Sequence, residues 1–167
     1  MASNFLEQLV AEWYEYAGYF IRRNVLVGKL PNGGYCCELD IVAFHPEKKH
    51  LLQIEPSMDA DSWAKREKRF SNKFKAGRDH IPELFKGFDL PSEIEQIALL
   101  GFASNKNHQT IGGGQIKLIS ELLEEIFTVI KTKDYVRSVI PENYTIFRAF
   151  QVLSHFGNIE DIHWKHQ

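Results

Sequence analysis

The central stretch of the chain reads YCCELDIVAF at residues 35–44, HPEKKH at residues 45–50 and LLQIEPS at residues 51–57. The two outer segments are short and rich in apolar residues, which is typical of β-strands. The middle segment contains Pro46 and several charged side chains, which favour a solvent-exposed turn. The stretch therefore predicts a β-hairpin.

Two acidic residues, Asp40 and Glu55, face each other in this hairpin. If Phe44 pairs with Leu51, counting back along both strands places Asp40 opposite Glu55. The Cβ atoms of directly opposed residues lie about 5 Å apart on the same face of a sheet. Two carboxylates at that spacing repel each other unless a cation or a shared proton lies between them. The register therefore predicts a metal site.

The hairpin has one polar and one apolar face. The polar face carries Glu38, Asp40, Gln53, Glu55 and Ser57, and the apolar face carries Cys37, Leu39, Ile41, Ala43, Leu52 and Ile54. No lysine or arginine lies on the polar face to neutralise its carboxylates, and oxygen-rich clusters suit Mg²⁺ or Mn²⁺. An ordinary solvated strand face is the alternative interpretation.

The composition indicates one globular domain spanning residues 1–167. An apolar content of 44% is high enough for a hydrophobic core and excludes a disordered chain. No apolar run approaches the roughly 20 residues of a membrane span, and no signal-peptide pattern is present. Adjacent Cys36 and Cys37 cannot form an ordinary disulfide with each other, so we expect a cytoplasmic protein.

The order of the predicted elements defines the fold class. We expect a helix at 4–17, a strand at 19–27, the hairpin, a helix at 61–78, a strand at 97–103, a loop at 104–114, and helices at 115–131 and after Pro141. Three strands follow one another without crossovers, which favours an α/β fold of the α+β sandwich type over a doubly wound sheet. Residues 4–103 form the expected core, and residues 104–167 a helical extension.

The second predicted helix is strongly basic. Its apolar residues Trp63, Phe70 and Phe74 share one face. Arg66, Arg69 and Lys73 flank that face, and Lys65, Lys68 and Lys75 point outward. The helix is therefore the best candidate for a nucleic-acid contact through Arg66, Lys68, Arg69 and Lys73. A solvated face tied by ion pairs through Glu67 is the alternative.

The order of these motifs resembles that of the PD-(D/E)xK nuclease superfamily, in particular its small members related to Holliday-junction resolvases and Mrr-type restriction endonucleases. Acidic, turn, basic and strand motifs follow one another in the same order along residues 4–103. The matching positions are Glu7 before Gly18-Tyr19, then Arg23-Asn24, Glu38-Leu39-Asp40-Ile41, Glu55-Pro56-Ser57, and Lys73 before Phe74.

The resemblance implies a restriction endonuclease-like αβββαβ core and metal-dependent hydrolysis of phosphodiester bonds, in DNA rather than RNA. Asp40 and Glu55 would bind Mg²⁺ or Mn²⁺, which activates a water molecule. Glu7 would be an outer ligand or would orient the water, with Glu12 as a rival for that role. Helix capping is the alternative role of Glu7.

The chain departs from the family at Ser57, which stands where the family has a lysine. A serine cannot stabilise negative charge as an ammonium does. Lys73, or Lys68, could supply the ammonium from the second helix. Alternatively, Gln53-Ile54-Glu55 could be the functional triplet, with an acid in the place of the lysine.

Loss of catalysis is the third alternative, and it leaves a nuclease-fold protein that binds nucleic acid or a protein partner. A partner-binding module that uses the amphipathic C-terminal helices, as in a homodimer, is a further alternative. An exposed apolar stripe around Ile126 and Phe127 would favour that module.

Overall fold

The computed structural model describes residues 4–101 and 108–157 as a mixed six-stranded sheet with helices on both faces. The elements are α1 (Phe5–Tyr16), β1 (Phe20–Lys29), β2 (Tyr35–His45), β3 (His50–Ser57), α2 (Trp63–Leu84), β4 (Glu95–Leu100), β5 (Thr110–Ile111), β6 (Gly114–Leu118), α3 (Ile119–Lys131) and α4 (Thr145–Phe156). The α+β fold class predicted from the sequence is confirmed. No helix of these described residues has the length and apolar character of a membrane span.

The strands follow the order β1-β2-β3-β4-β6-β5 across the sheet. β1, β2 and β3 form an antiparallel meander, and β4 and β6 then lie parallel to β3. The predicted hairpin register is confirmed, because Phe44 pairs with Leu51 and Ile41 with Ile54. One further step along both strands brings Asp40 and Glu55 to the same end of the hairpin.

Helices cover the two faces of the sheet unequally. α1, α3 and α4 pack on one face, over a cluster to which Ile41 and Ile54 of the hairpin belong. Among the described helices, α2 alone packs on the other face, where Phe70 and Phe74 contact β4, β5 and β6 residues. The polar face of the hairpin therefore lies beneath α2, so α2 is the only described helix that can bring side chains to it.

The alternation of faces in β2 is interrupted near Asp40. The sequence predicts Leu39 on the same face as Ile41, but Leu39 packs beneath α2 with Val25 and Val42. Asn24 of β1 lies between the pairs Arg23–Ile41 and Val25–Leu39 and has a φ of +52°. Asparagine tolerates this left-handed conformation, which breaks the regular pleat. The prediction for Leu39, and for its neighbour Cys37 in the same cluster, was therefore wrong.

Several element boundaries differ from the sequence-based expectation. α2 was expected to end at residue 78 but continues to Leu84, with Pro82 inside the helix. Residues 114–118 form β6 and not the first turn of a helix, and Thr110–Ile111 form a short edge strand within the predicted loop. The spacing of Ile116 and Ile119 fits a helix, but parallel pairing of β6 with β4 overrides that local preference. The predicted strand and loop residues 102–107 lie outside the described residues.

The C-terminal helices share the core of the predicted 4–103 segment. Ile126 and Phe127 are buried in the same cluster as α1 and the central strands, so they offer no exposed apolar stripe. Glu12 of α1 is also buried, and its Oε2 accepts hydrogen bonds from the backbone N–H groups of Ile146 (2.8 Å) and Phe147 (3.0 Å). Glu12 therefore caps the start of α4 and connects it to α1.

We expect Glu12→Ala to lower the free energy of unfolding by about 1–3 kcal/mol, because it leaves N–H donors at the start of α4 without an acceptor. Urea unfolding of the purified chain measures this change. Glu15→Ala is the matched control, since Glu15 is exposed on the same helix and its replacement should cost less than about 0.5 kcal/mol. Equal losses in both variants would contradict the capping role.

Candidate active site

Three charged side chains meet at the end of the hairpin where α2 crosses it. The ammonium nitrogen of Lys73 lies 2.5 Å from Oδ1 of Asp40 and 2.5 Å from Oε2 of Glu55. The backbone N–H of Asp40 also donates to Oε2 of Glu55, at 3.4 Å. The structure thus brings together the two acids expected from the register and one of the two lysines considered for the ammonium.

Burial differs sharply among the three groups. The side chain of Glu55 is 1% exposed, whereas those of Asp40 and Lys73 are 18% and 21% exposed. An open cavity of about 150 Å³ lies beside them, and its polar lining also includes Ser57, Asp59 and Arg69. Asp40 and Lys73 can therefore meet a ligand from solvent, with Glu55 directly behind them.

The electrostatics of the cluster follow from this burial. Burial and the adjacent Asp40 carboxylate raise the pKa of Glu55 to about 8, although the Lys73 ammonium acts in the opposite direction. Burial lowers the pKa of Lys73, but the charges of Glu55 and Asp40 outweigh it and the net shift is upward. Burial therefore favours the protonated form of Glu55, and the ammonium of Lys73 keeps its charge beside the two acids.

The donor set fits a hard divalent cation. Oδ1 of Asp40 contacts the Lys73 ammonium, and the Asp40 carboxylate lines the cavity. In residues 4–101 and 108–157, no three His, Cys, Asp or Glu side chains form a metal cluster. Mg²⁺ commonly uses only one or two carboxylates and completes its shell with water and substrate phosphate oxygens. Asp40 and Glu55 match that pattern and would release a proton on binding the ion.

The other residues predicted for the site have different positions. Ser57 lines the cavity, and Gln53 is buried beneath, where its amide donates to Oε1 of Glu55 at 2.8 Å. Glu38 is half-buried and does not line the cavity, because it lies beyond the interruption of β2. Glu7 shares a capping interaction with Asn4, whose Oδ1 accepts from the Glu7 backbone N–H at 2.9 Å. The Glu7 carboxylate accepts in turn from the side-chain amide of Asn4, so Glu7 is part of the N-terminal cap of α1 and does not line the cavity.

The basic helix is largely neutralised by its own neighbours. Lys65 pairs with Asp61 at 2.7 Å, and Lys75 pairs with Asp79 at 2.5 Å. Glu67, which the sequence favours as an ion-pair partner, instead accepts from the backbone N–H of Gly112 at 2.9 Å.

The four residues predicted to bind nucleic acid are in different environments. Arg66 is buried and donates to the carbonyl oxygen of Asp59, which leaves little of it for a phosphate. Arg69 binds Asp59 at 2.7 Å and Ser57 at 2.9 Å at the rim of the cavity. Lys68 is exposed and, within the described chain, has no acidic partner. Lys68 and Arg69 are therefore the cations that remain accessible beside Lys73.

Sequence reasoning missed Asp59 and Gln96. Asp59 lines the cavity from the segment after β3, where no local pattern marks it. Gln96 of β4 contacts Gln53 through buried side-chain amides, with Gln96 Nε2 2.6 Å from Gln53 Oε1. A buried glutamine at the start of an apolar strand is the one signal that could have indicated its role, because buried polar groups need partners.

Comparisons of the chain with protein-family models, with curated proteins and with solved structures found no match. Functional inference therefore rests on the geometry of this cluster together with the resemblance in motif order.

We expect Asp40→Asn to lower the pKa of Glu55 by about one unit or more, because it removes a negative charge beside a buried carboxyl group. A ¹³C NMR titration of glutamate carboxyl groups, in the presence of a chelator, measures the shift. A raised carboxyl pKa means that the folded chain binds the proton more tightly than the unfolded chain. The free energy of unfolding should therefore fall as the pH rises from about 4.5 to about 8, and less so in the variant.

Asp79→Asn is the control for this titration, since Asp79 is an exposed carboxyl on the outer side of α2. It should leave the pKa of Glu55 unchanged. An unchanged pKa in Asp40→Asn as well would contradict the proximity of the two acids.

Proposed function

We propose that the protein is a metal-dependent nuclease that hydrolyses phosphodiester bonds in DNA, with Mg²⁺ or Mn²⁺ as its cofactor. The observation that carries the proposal is the contact of one lysine ammonium with two strand carboxylates at an open cavity. This reaction needs two acids and an ammonium. The two carboxylates hold the ion, and the ammonium faces the phosphate. Lys73 supplies from α2 the charge that Ser57 lacks.

Each residue has a separate role in this proposal. A bound Mg²⁺ or Mn²⁺ would lower the pKa of a water molecule and polarise the phosphodiester. Asp40 and Glu55 would hold the ion, whose positive charge would then compensate the two carboxylates in place of Lys73. The Lys73 ammonium is thereby available to contact the scissile phosphate and stabilise the negative charge that develops on its oxygens. Burial of Glu55 excludes water from the back of the site.

Phosphate recognition is proposed for Arg69, at the rim of the cavity, and for Lys68, which is exposed on the same helix. Arg69 holds the Ser57–Asp61 segment through carboxylates, and a DNA phosphate is an anion that can compete for the same fork-shaped donor set. Lys68 is exposed on α2, five residues before Lys73, and suits a flanking phosphate. These contacts would position the backbone of DNA without reading its sequence.

A non-catalytic protein on the same fold is the second candidate, and one observation favours it. Lys73 contacts both acids at once, so the cluster is compensated without any ion. Under this alternative, Lys73 is a structural partner of buried Glu55 and half-buried Asp40, and the accessible cations only bind nucleic acid.

Cleavage of linear and branched DNA with Mg²⁺ or Mn²⁺ tests the catalytic proposal. We expect Lys73→Ala to lower the rate by about 10²–10³-fold, because it removes one charge that stabilises the transition state. Asp40→Ala should lower it at least as much. Lys75→Ala, which removes an exposed lysine from the same helix, should leave the rate unchanged.

Wild-type protein that binds DNA but shows no cleavage with either metal would favour the non-catalytic candidate. Cleavage that persists in Asp40→Ala would point to a contaminating nuclease and would contradict the catalytic proposal.

DNA binding at low salt tests the proposed cationic surface. We expect Lys68→Ala to weaken binding about equally for all DNA sequences and to reduce the slope of log affinity against log salt by about 1, as the loss of one phosphate contact does. Fluorescence anisotropy over a salt series measures both quantities. Lys131→Ala, on α3 across the sheet, is the control and should change neither. An unchanged slope for Lys68→Ala would exclude that lysine from the interface.

A further inference from the structure

One buried side-chain amide, that of Gln53, contacts both Glu55 and the backbone of Lys73. Gln53 is completely buried, and its Nε2 donates to Oε1 of Glu55 at 2.8 Å and to the backbone oxygen of Lys73 at 3.1 Å. The two N–H groups of one side chain thus contact the carboxylate on β3 and the turn of α2 that carries the ammonium. The oxygen of Glu55 that faces Gln53 is not the one that contacts Lys73.

The orientation of this amide is set by a row of hydrogen bonds. Oε1 of Gln53 accepts from Nε2 of Gln96 at 2.6 Å, and the same nitrogen donates to the backbone oxygen of Phe74 at 2.7 Å. Oε1 of Gln96 accepts in turn from Arg78, at 2.5 Å. An arginine can only donate, so it fixes which end of Gln96 faces it. The donor end of Gln53 must therefore point at Glu55.

The backbone of α2 leaves space for this amide only because residue 77 is glycine. A Cβ atom at Gly77 would lie 1.8 Å from Oε1 of Gln53, closer than any packing allows. Gln53 also approaches α2 within hydrogen-bond distance of Lys73, one turn earlier. The buried position of Gln53 therefore depends on the close approach of α2. The same approach allows the row of hydrogen bonds that starts at Arg78.

We infer that Gln53 is a positioning residue for the metal site, and that Arg78 and Gln96 set its polarity. Gln53 holds Oε1 of Glu55 so that Oε2 faces Asp40 and the cavity, and it holds the helix turn that aims Lys73 at the same point. A neutral amide does this without adding a positive charge that would compete with a cation. This inference rests on the proposed metal-dependent function, and it assigns the site a supporting residue that makes no contact with substrate.

Mn²⁺ affinity of the full chain, measured by calorimetry, tests the inference. We expect Gln53→Met, which keeps the shape but removes the donor, to weaken Mn²⁺ binding by about 10–100-fold, as loss of a partner behind a metal ligand does. Arg78→Met acts from the exposed surface of α2 and should weaken binding in the same direction. Arg78→Lys keeps a donor and should restore affinity.

Ile54→Val is the matched control, because Ile54 lies next to Gln53 on β3 but packs on the opposite face of the sheet. The Ile54→Val substitution reduces core packing at β3 but leaves the hydrogen bonds of Gln53 in place. The Mn²⁺ affinity of this variant should therefore equal that of the wild type. Urea unfolding of each variant separates loss of stability from loss of the ligand geometry. If Gln53→Met fails to fold, the Arg78 pair provides the same comparison.

Three results would overturn the inference, and they differ in whether the proposed metal site survives. Wild-type affinity in Gln53→Met, or in Arg78→Met when the first variant is unfolded, would remove the positioning role and leave the metal site intact. Equal weakening in Ile54→Val would assign the effect to a loosened sheet and overturn it too. Absence of Mn²⁺ binding by the wild type would overturn the proposed function and this inference together.

Discussion

The contact between Asp40, Glu55 and Lys73 is the constraint on which the rest of this structure depends. Two acids at adjacent positions of a hairpin repel each other, and one of them is buried, so the fold has to supply a cation. α2 supplies it, and this helix approaches the sheet closely where Gly77 of the helix lies over the buried side chain of Gln53. A cavity lies on the solvent side of the acids, and buried Gln53 lies on their inner side.

Placing the ammonium on a helix has a chemical consequence. A lysine at position 57 would lie on the same strand as Glu55, two residues away, and would move only with that strand. Lys73 instead lies on α2, so the position of its ammonium relative to the two acids depends on how that helix packs on the sheet. Ser57 still contributes to the site, because its hydroxyl accepts a hydrogen bond from Arg69 at the rim of the cavity.

Local pattern predicted the hairpin register correctly, and the register alone placed Asp40 near Glu55. It failed at Leu39, because the left-handed backbone of Asn24 on the neighbouring strand interrupts the pleat. It failed at residues 114–118 because pairing with β4 outweighed a helical spacing of apolar residues. Arg66 was expected beside nucleic acid, but the packing of α2 buries it.

The sequence by itself determined the hairpin, the α+β class and the meeting of the two acids, because strand alternation and a short turn leave one register that buries the apolar face. Only the tertiary structure decided which lysine reaches them, that Glu12 caps α4, and that Gln96 and Arg78 orient Gln53. Those contacts join residues from 18 to 135 positions apart in the chain. They follow from the packing of helices on the sheet, which no local pattern of residues encodes.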